Sequence, residues 1–167
     1  SERSRGLGDV YKRQALFDLG VTPVGIETYA NSRRLEKSLR LQNDDLEIDY
    51  NLYEAGLSRP KVKAADFHGK DAYVSQRELP EQAAYLCTFV LEDTTDDKGV
   101  VRYPVGHWPL LDPESKEVII DSHGRRSYTT SVAFGPSLGQ NIAMGYLPAD
   151  RALSLIHISE PTRPLRI

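Results

Sequence analysis

The chain has 167 residues, of which 40% are hydrophobic and 27% charged, with a formal net charge of -3. This composition is typical of a globular protein and excludes collagen-like, disulfide-rich and largely disordered chains. No stretch approaches the roughly 18 to 20 consecutive apolar residues of a membrane-spanning helix, so no membrane partner is expected. The single cysteine, Cys87, cannot form an internal disulfide, which favours a reducing compartment.

The two ends of the chain are related through their coding DNA. Residues 4–14 can be encoded so that the reverse complement translates in frame as the sequence of residues 153–163. One sequencing adaptor present in both orientations produces this relation, whereas two natural segments have no reason to show it. We therefore predict that 1–14 and 153–167 are adaptor-derived and non-biological, and that 15–152 is an internal fragment.

Without these ends, acidic residues outnumber basic ones more strongly. Binding to duplex nucleic acid normally needs a basic face, so no nucleic-acid partner is expected.

Helical periodicity is confined to the first half of the chain. Residues 25–41 place side chains at spacings of three and four, which predicts an amphipathic helix with an inner face drawn from Ile26, Tyr29 or Ala30, Arg33, and Leu35 or Leu39. The acidic stretch 42–49 is predicted to be a loop, and a short segment follows at 51–57. A second helix is predicted at 69–77.

The second half of the chain is rich in strand patterns. Runs bounded by Gly, Pro or Asp predict five short strands at 84–91, 101–110, 118–121, 127–134 and 141–147. Strands at such spacing indicate an antiparallel sheet or small barrel. The boundary between the helical and strand-rich parts is expected near residues 57–62.

Few residues carry a catalytic or metal-binding pattern by themselves. His68, His107 and His123 lack the paired spacing of a zinc site, and we expect no metal ion. No Ser or Cys lies in a nucleophile-elbow context, so no catalytic residue is assigned. The acidic residues 92–97 lack a calcium-loop pattern and are interpreted as a solvated loop.

Three other sequences have both a functional and a structural interpretation. The Gly-rich residues 135–139 fit a strand connection better than an anion site, because they lack the Lys and Ser/Thr of a phosphate loop. His107-Trp108 could stack on a ligand, but a large aromatic residue in a strand pattern is more often core. Arg125-Arg126 is interpreted as a turn with two solvated charges.

Arg34 and Glu36 are the most informative pair. They are two residues apart on the predicted helix and therefore point about 200 degrees from each other, so one of them should face inward. A buried arginine needs an acidic or carbonyl partner, which can be a structural group of the protein or a ligand. The residues alone favour the structural alternative.

The motifs of the chain together resemble the folate-binding aminomethyltransferase family, whose type member is the T-protein of the glycine cleavage system. They are ANSRRLEK at 30–37, LQNDDL at 41–46, YEAGL at 53–57, DFHGKDA at 66–72 and TSVAFGPSLGQNIAMGYLP at 130–148. The resemblance implies an α+β fold, in which 15–60 is the end of a ferredoxin-like aminomethyltransferase domain and 61–152 is an incomplete antiparallel β-barrel.

Within this family, the chain is most similar to the folate-binding tail of flavin-dependent dimethylglycine or sarcosine dehydrogenases. Ala30-Asn31 before Ser32, Glu36-Lys37, and the residues 124–128 resemble that branch. The alternatives are a free-standing T-protein without flavin and a non-catalytic folate-binding relative. The cytoplasm or the mitochondrial matrix would suit each of them, and the oligomeric state stays open.

The resemblance also implies cofactors and site residues. Tetrahydrofolate would accept a one-carbon unit from a small N-methyl amine or aminomethyl donor, and FAD would bind in an upstream domain. The arginine of the family's R-x-E motif corresponds to Arg34, which we predict to bind the folate cofactor, with Glu36 as its support. The family's catalytic aspartate would lie upstream of Ala15, so the fragment alone is expected to be inactive.

Overall fold

We describe a computed structural model of the chain, covering residues 2–58, 61–91, 94–96, 98–156 and 165–166. Helix α1 spans Glu2–Asp18, a π-helical turn spans Thr28–Arg33 and continues into the short α2 at Arg34–Glu36, and α3 spans Lys70–Arg77. Strands β1 (Ala84–Leu91), β2 (Thr129–Gly135) and β3 (Gln140–Pro148) follow. Helix α4 spans Ala149–Ile156 and β4 spans Leu165–Arg166.

The sheet has the strand order β2-β3-β1-β4. Strand β3 lies in the centre and pairs antiparallel with β1, from Ala84 opposite Pro148 to Leu91 opposite Asn141, and with β2 through a hairpin. The two residues of β4 pair parallel with Phe89 and Val90. The presence of both helices and a small open antiparallel sheet of β1, β2 and β3 confirms the predicted α+β class and partial barrel.

Alternation along the strands gives each face of the sheet its own apolar cluster. Cys87, Phe89 and Ala143 face one side, where Leu147 and Ala152 join the cluster. On the other side, Leu35 of α2 packs against Ile142 and Met144 of β3. Fully burying side chains of this size stabilises the fold by about 1.5–3 kcal/mol each. The helical segment that contains Arg34 is thereby fixed to the sheet through its neighbour Leu35.

Two secondary-structure predictions need correction. The helix predicted at 25–41 ends at Glu36, because Ser38 has a positive φ of 52° and the chain turns there. The strands predicted at 101–110 and 118–121 are only isolated bridges, such as Pro109 with Tyr128 and Ile120 with Arg126. Turns at 112–116 and 121–125 interrupt the pairing on both sides of these bridges.

The inner face of the helix predicted at 25–41 is also different from the prediction. Ile26 and Tyr29 are 77% and 76% exposed, whereas Arg34 and Leu35 are buried. The π-helical turn at Thr28–Arg33 contains Tyr29 and directly precedes Arg34, and its repeat is wider than the 3.6 residues of an α-helix. Within the described part of the chain, no helix is long and apolar enough to cross a membrane.

Candidate functional site

Arg34 lies at the start of α2, where its side chain points into the protein and is only 8% exposed. Its Nη1 donates to Asp45 Oδ2 at 2.6 Å, and its Nη2 donates to Ser131 Oγ at 2.7 Å. The prediction that one member of the Arg34–Glu36 pair faces inward is therefore confirmed. The charged partner comes from the loop that follows α2, 11 residues along the chain.

The remaining donors of the Arg34 guanidinium also point at protein oxygens. Nε donates to the Ala30 carbonyl, and Nη1 donates to the Leu39 carbonyl at 3.2 Å. The Asp44 carboxylate lies 4.0 Å from Nη2. A guanidinium directed at carbonyls and carboxylates in this way holds a loop in place.

Asp45 is 0% exposed and is the acceptor at the centre of this arrangement. Besides Arg34, it accepts a hydrogen bond from the Leu41 backbone N–H at 2.9 Å and one from Thr130 Oγ1 at 2.5 Å. A buried carboxylate is stable only if it is paired and hydrogen-bonded, and these contacts meet both needs. We name Arg34, Asp45, Thr130 and Ser131 the Arg34 clamp.

A β-bulge in strand β2 explains why two consecutive residues join the Arg34 clamp. Thr129 pairs with Gly145 and Ser131 with Met144, so Thr130 is an extra residue in β2. In a regular strand, neighbouring side chains point to opposite faces, whereas a bulge redirects one of them. Thr130 and Ser131 can therefore both reach the buried ion pair.

Glu36 lies on a different side of α2 and binds the loop between β2 and β3. Its Oε1 accepts the Ser137 backbone N–H at 2.7 Å, and its Oε2 accepts the Ser137 hydroxyl at 3.1 Å. The loop 135–139 closes on itself, with the Gly139 N–H donating to the Gly135 carbonyl at 2.9 Å. The interpretation of this loop as a strand connection is confirmed, and Glu36 holds it against α2.

A second inward-facing arginine, the partly buried Arg125, was missed by sequence reasoning. Its Nε donates to Asp121 Oδ2 at 2.7 Å and its Nη2 donates to Glu54 Oε1 at 2.5 Å. Its Cζ lies 4.3 Å from the centre of the Tyr50 ring. The prediction of two solvated charges is therefore wrong for Arg125, although Arg126 is exposed. We name Arg125, Glu54, Asp121 and Tyr50 the Arg125 cluster.

The clamp and the cluster meet at two stacked tyrosines. The rings of Tyr50 and Tyr146 are parallel, with centroids 3.5 Å apart, and the Tyr146 hydroxyl donates to the Asp45 carbonyl at 2.8 Å. Burial raises the pKa of Tyr50 to about 12, despite the nearby Arg125 charge that lowers it. Burial also raises the pKa of Tyr146. Both phenols therefore stay neutral at physiological pH, with the Tyr50 ring against Arg125 and the Tyr146 hydroxyl bound to the loop of Asp45.

The other candidate residues have different surroundings from those expected. Trp108 is 56% exposed, so the core interpretation of His107-Trp108 is wrong. His107 has a positive φ of 64°, and its exposed turn is fixed by hydrogen bonds to Thr129. Among the described residues, no group of three His, Cys, Asp or Glu side chains is placed to hold a metal ion. Part of the acidic stretch 92–97 lies outside the described residues.

That Arg34 and Glu36 contact folate stays a prediction. The donors of Arg34 are directed at protein oxygens, and both oxygens of Glu36 face Ser137. These contacts make Arg34 a residue that orients the loop bearing Asp45.

Comparisons with known proteins agree with the motifs. Residues 106–158 match the family model of the glycine cleavage T-protein C-terminal barrel domain. An aminomethyltransferase of Koribacter versatilis is 29% identical over 140 residues, which cover 83% of this chain and 32% of the relative. An aminomethyltransferase of Desulfitobacterium hafniense is 31% identical over 134 residues, covering 80% of this chain and 32% of the relative.

A solved structure shows the same fold. The glycine cleavage system aminomethyltransferase T from Bartonella henselae superposes with a TM-score of 0.62 at 24% identity, covering 87% of this chain and 37% of that one. The chain thus spans about a third of the length of the relatives that it matches. The barrel-domain match and these relatives agree that the chain is similar to the C-terminal part of the glycine cleavage T-protein, in the aminomethyltransferase family.

Proposed function

We propose that this chain is the C-terminal part of a tetrahydrofolate-dependent aminomethyltransferase, which transfers a one-carbon unit from a small aminomethyl donor to folate. The observation that carries the proposal is the match to curated aminomethyltransferases over about four fifths of the chain. This match favours the flavin-free alternative over the dehydrogenase tail that the sequence motifs first indicated.

In this proposal, the described residues position parts of the folate pocket and do not perform the chemistry. Tetrahydrofolate supplies the nucleophilic amine, and holding that amine close to the one-carbon unit is the main requirement of the transfer. The Arg34 clamp fixes the loop at 41–45, and Glu36 fixes the hairpin loop through Ser137. Because both loops are fixed beforehand, the pocket wall loses less conformational entropy when the cofactor binds.

The flavoprotein tail is the second candidate, supported by Ala30-Asn31 before Ser32, by Glu36-Lys37 and by the residues 124–128. It requires FAD in an upstream domain, which neither the relatives nor the family model supports. Determining the coding sequence upstream of Ala15 in the source DNA separates the two candidates. A dinucleotide-binding fingerprint in the same frame would favour the flavoprotein.

A chimera tests the proposed function directly. Residues 15–152 replace the matching third of a curated aminomethyltransferase relative, and transfer of the one-carbon unit to tetrahydrofolate is measured without added flavin. We expect transfer well above that of the relative lacking this third. A folded chimera that binds tetrahydrofolate but does not transfer the one-carbon unit would contradict the proposal.

The domain boundaries are part of the same proposal. We propose that 15–60 ends the folate-binding domain, that 61–152 is the incomplete barrel, and that 1–14 and 153–167 are adaptor-derived. The family model extends to residue 158, six residues beyond this boundary. Sequencing the source DNA from primers inside 15–152 tests the ends, since a genomic reading that retains 153–158 would make that boundary wrong.

A further inference from the structure

A pocket of about 400 Å³ lies outside the Arg34 clamp and the Arg125 cluster. Its walls are the turn at 51–57, the loop at 61–67 and helix α3, which contribute the apolar side chains Leu52, Leu57, Val62, Phe67 and Tyr73. Leu52, Leu57 and Phe67 are between 40% and 48% exposed. Large apolar side chains that converge on a concave surface are typical of a ligand site.

Aromatic contacts and hydrogen bonds give this pocket a fixed shape. Tyr73 stacks on Tyr53 with ring centroids 5.1 Å apart and meets Phe67 edge-on at 6.4 Å. Lys70 Nζ donates to the Ala64 carbonyl at 3.0 Å, which ties the loop of Phe67 to α3. The ring surfaces are therefore held in place before a ligand binds, which reduces the entropy lost on binding.

The charged side chains that line the pocket are all of one sign among the described residues. Of the described residues that line it, Lys61 and Lys63 are basic and none is acidic. Two ammonium groups beside an apolar, ring-lined pocket complement a molecule with an apolar body and an anionic end. The two rings favour an aromatic body, because edge-to-face and offset packing add to the burial of apolar area.

We propose that this pocket binds a small carboxylic acid with an apolar, preferably aromatic, body. The carboxylate pairs with Lys61 and Lys63, and the body packs against Phe67 and Tyr73. The proposal is independent of the aminomethyltransferase function, since the pocket shares no residue with the Arg34 clamp or with Glu36.

The test uses the complete 167-residue chain and four probes of known structure. Isothermal titration calorimetry compares 4-phenylbutyrate and octanoate with their uncharged alcohols, 4-phenylbutan-1-ol and octan-1-ol. We expect each acid to bind at least about tenfold more tightly than its alcohol, equivalent to about 1.4 kcal/mol. 4-Phenylbutyrate should bind more tightly than octanoate, and competition between them should show one shared site.

Variants locate the binding. Lys61→Ala combined with Lys63→Ala should remove the preference for the acids and leave alcohol binding unchanged, whereas Lys98→Ala, a lysine in another turn, should change neither. Phe67→Ala should weaken all four probes. Thermal melting of each variant confirms that it remains folded, and amide chemical-shift changes should centre on Leu52, Leu57 and Tyr73.

Three outcomes would overturn the proposal. The first is equal affinity for acids and alcohols. The second is an undiminished preference in the folded double-lysine variant. The third is either a set of shift changes centred away from Leu52, Leu57 and Tyr73 or no saturable binding of any probe. The absence of binding would indicate that the pocket is a surface covered by another part of the full-length protein.

Discussion

In both the Arg34 clamp and the Arg125 cluster, an arginine points into the protein and its charge is paired with carboxylates. The two sites differ in how far along the chain these carboxylates lie. Each begins with two consecutive arginines, of which one is turned inward and the other, Arg33 or Arg126, is exposed. Arg34 takes its carboxylate from Asp45, 11 residues away, whereas Arg125 binds both Asp121, four residues away, and Glu54, 71 residues away. The inward position of Arg34 can be anticipated from helix geometry, whereas the sequence around Arg125 gives no sign of the distant Glu54.

The two arginines also differ in how much water reaches them. The side chain of Arg34 is 9% exposed and that of Arg125 is 19% exposed, although the carboxylates of Asp45, Glu54 and Asp121 are all buried. Removing one partner of a buried ion pair leaves the other charge uncompensated, and the cost falls as solvent access increases. The two sites should therefore respond in a fixed order to matched substitutions.

The largest effect is expected for Arg34→Met. The change leaves the Asp45 carboxylate buried without its cationic partner, which should lower the free energy of unfolding by about 3–5 kcal/mol. Arg33→Met is the matched control and should change it by less than about 0.5 kcal/mol. Urea unfolding followed by circular dichroism measures both, and equal effects would show that the clamp does not stabilise the fold.

A smaller effect is expected for Arg125→Met. The variant loses charge-assisted hydrogen bonds to Glu54 and Asp121, which should reduce the free energy of unfolding by about 1.5–3 kcal/mol. Arg126→Met provides the control on the adjacent exposed residue. If Arg125→Met costs more than Arg34→Met in the same urea experiment, the order derived from burial is wrong.

Ser131→Ala sharpens the comparison inside the clamp. It removes one hydrogen-bond acceptor of Arg34 and leaves the ion pair with Asp45 intact, so we expect a loss of about 1 kcal/mol. A double-mutant cycle with Arg34→Met should show that most of this loss disappears when the guanidinium is already absent. Additive losses would mean that Ser131 stabilises β2 independently of the clamp.

The smallest effect concerns pH and the tyrosine stack. The pKa of Tyr50 is raised to about 12 chiefly by burial, whereas an unfolded tyrosine has a pKa of about 10. The neutral phenol therefore contributes stability that is complete below about pH 10 and is lost as the pH rises toward 12. Because the ring is only half-buried, we expect a loss below about 1 kcal/mol.

Tyrosinate absorbance together with chemical unfolding at several alkaline pH values measures this contribution. Tyr50→Phe removes one titrating hydroxyl and should reduce the dependence, to which Tyr128 and Tyr146 also contribute because burial raises the pKa of each. A stability that increases between pH 10 and 12 would contradict the sign of the prediction.

The parts of the fold that sequence reasoning recovered depend on local signals. Strand β1 has the predicted bounds, and β2 and β3 differ from the prediction by one or two residues, because Gly, Pro and polar turns delimit apolar runs. The inward position of Arg34 follows from the rotation per residue of a helix. These features require no knowledge of distant segments.

The features that were missed depend on long-range contacts or on local irregularity. Arg125 is partly buried and paired because a turn at 51–57 brings Glu54 against it, which the sequence near Arg125 does not indicate. Trp108 is exposed because Thr129 fixes the irregular turn at 105–108, so the alternation of a strand does not apply. The extra residue at Thr130 has no turn or glycine beside it that would have revealed it.

The extra residue at Thr130 also determines to which face of the sheet each later side chain of strand β2 points. From Ser131 onward, every residue lies opposite a β3 partner one position later than an uninterrupted ladder would place it. Deleting Thr130 would remove the unpaired residue from β2, so that the residues after it alternate regularly with Thr129. The deletion would also remove a donor to Asp45. When relatives are aligned, a one-residue gap at this position would therefore mark proteins that hold their buried aspartate by other means.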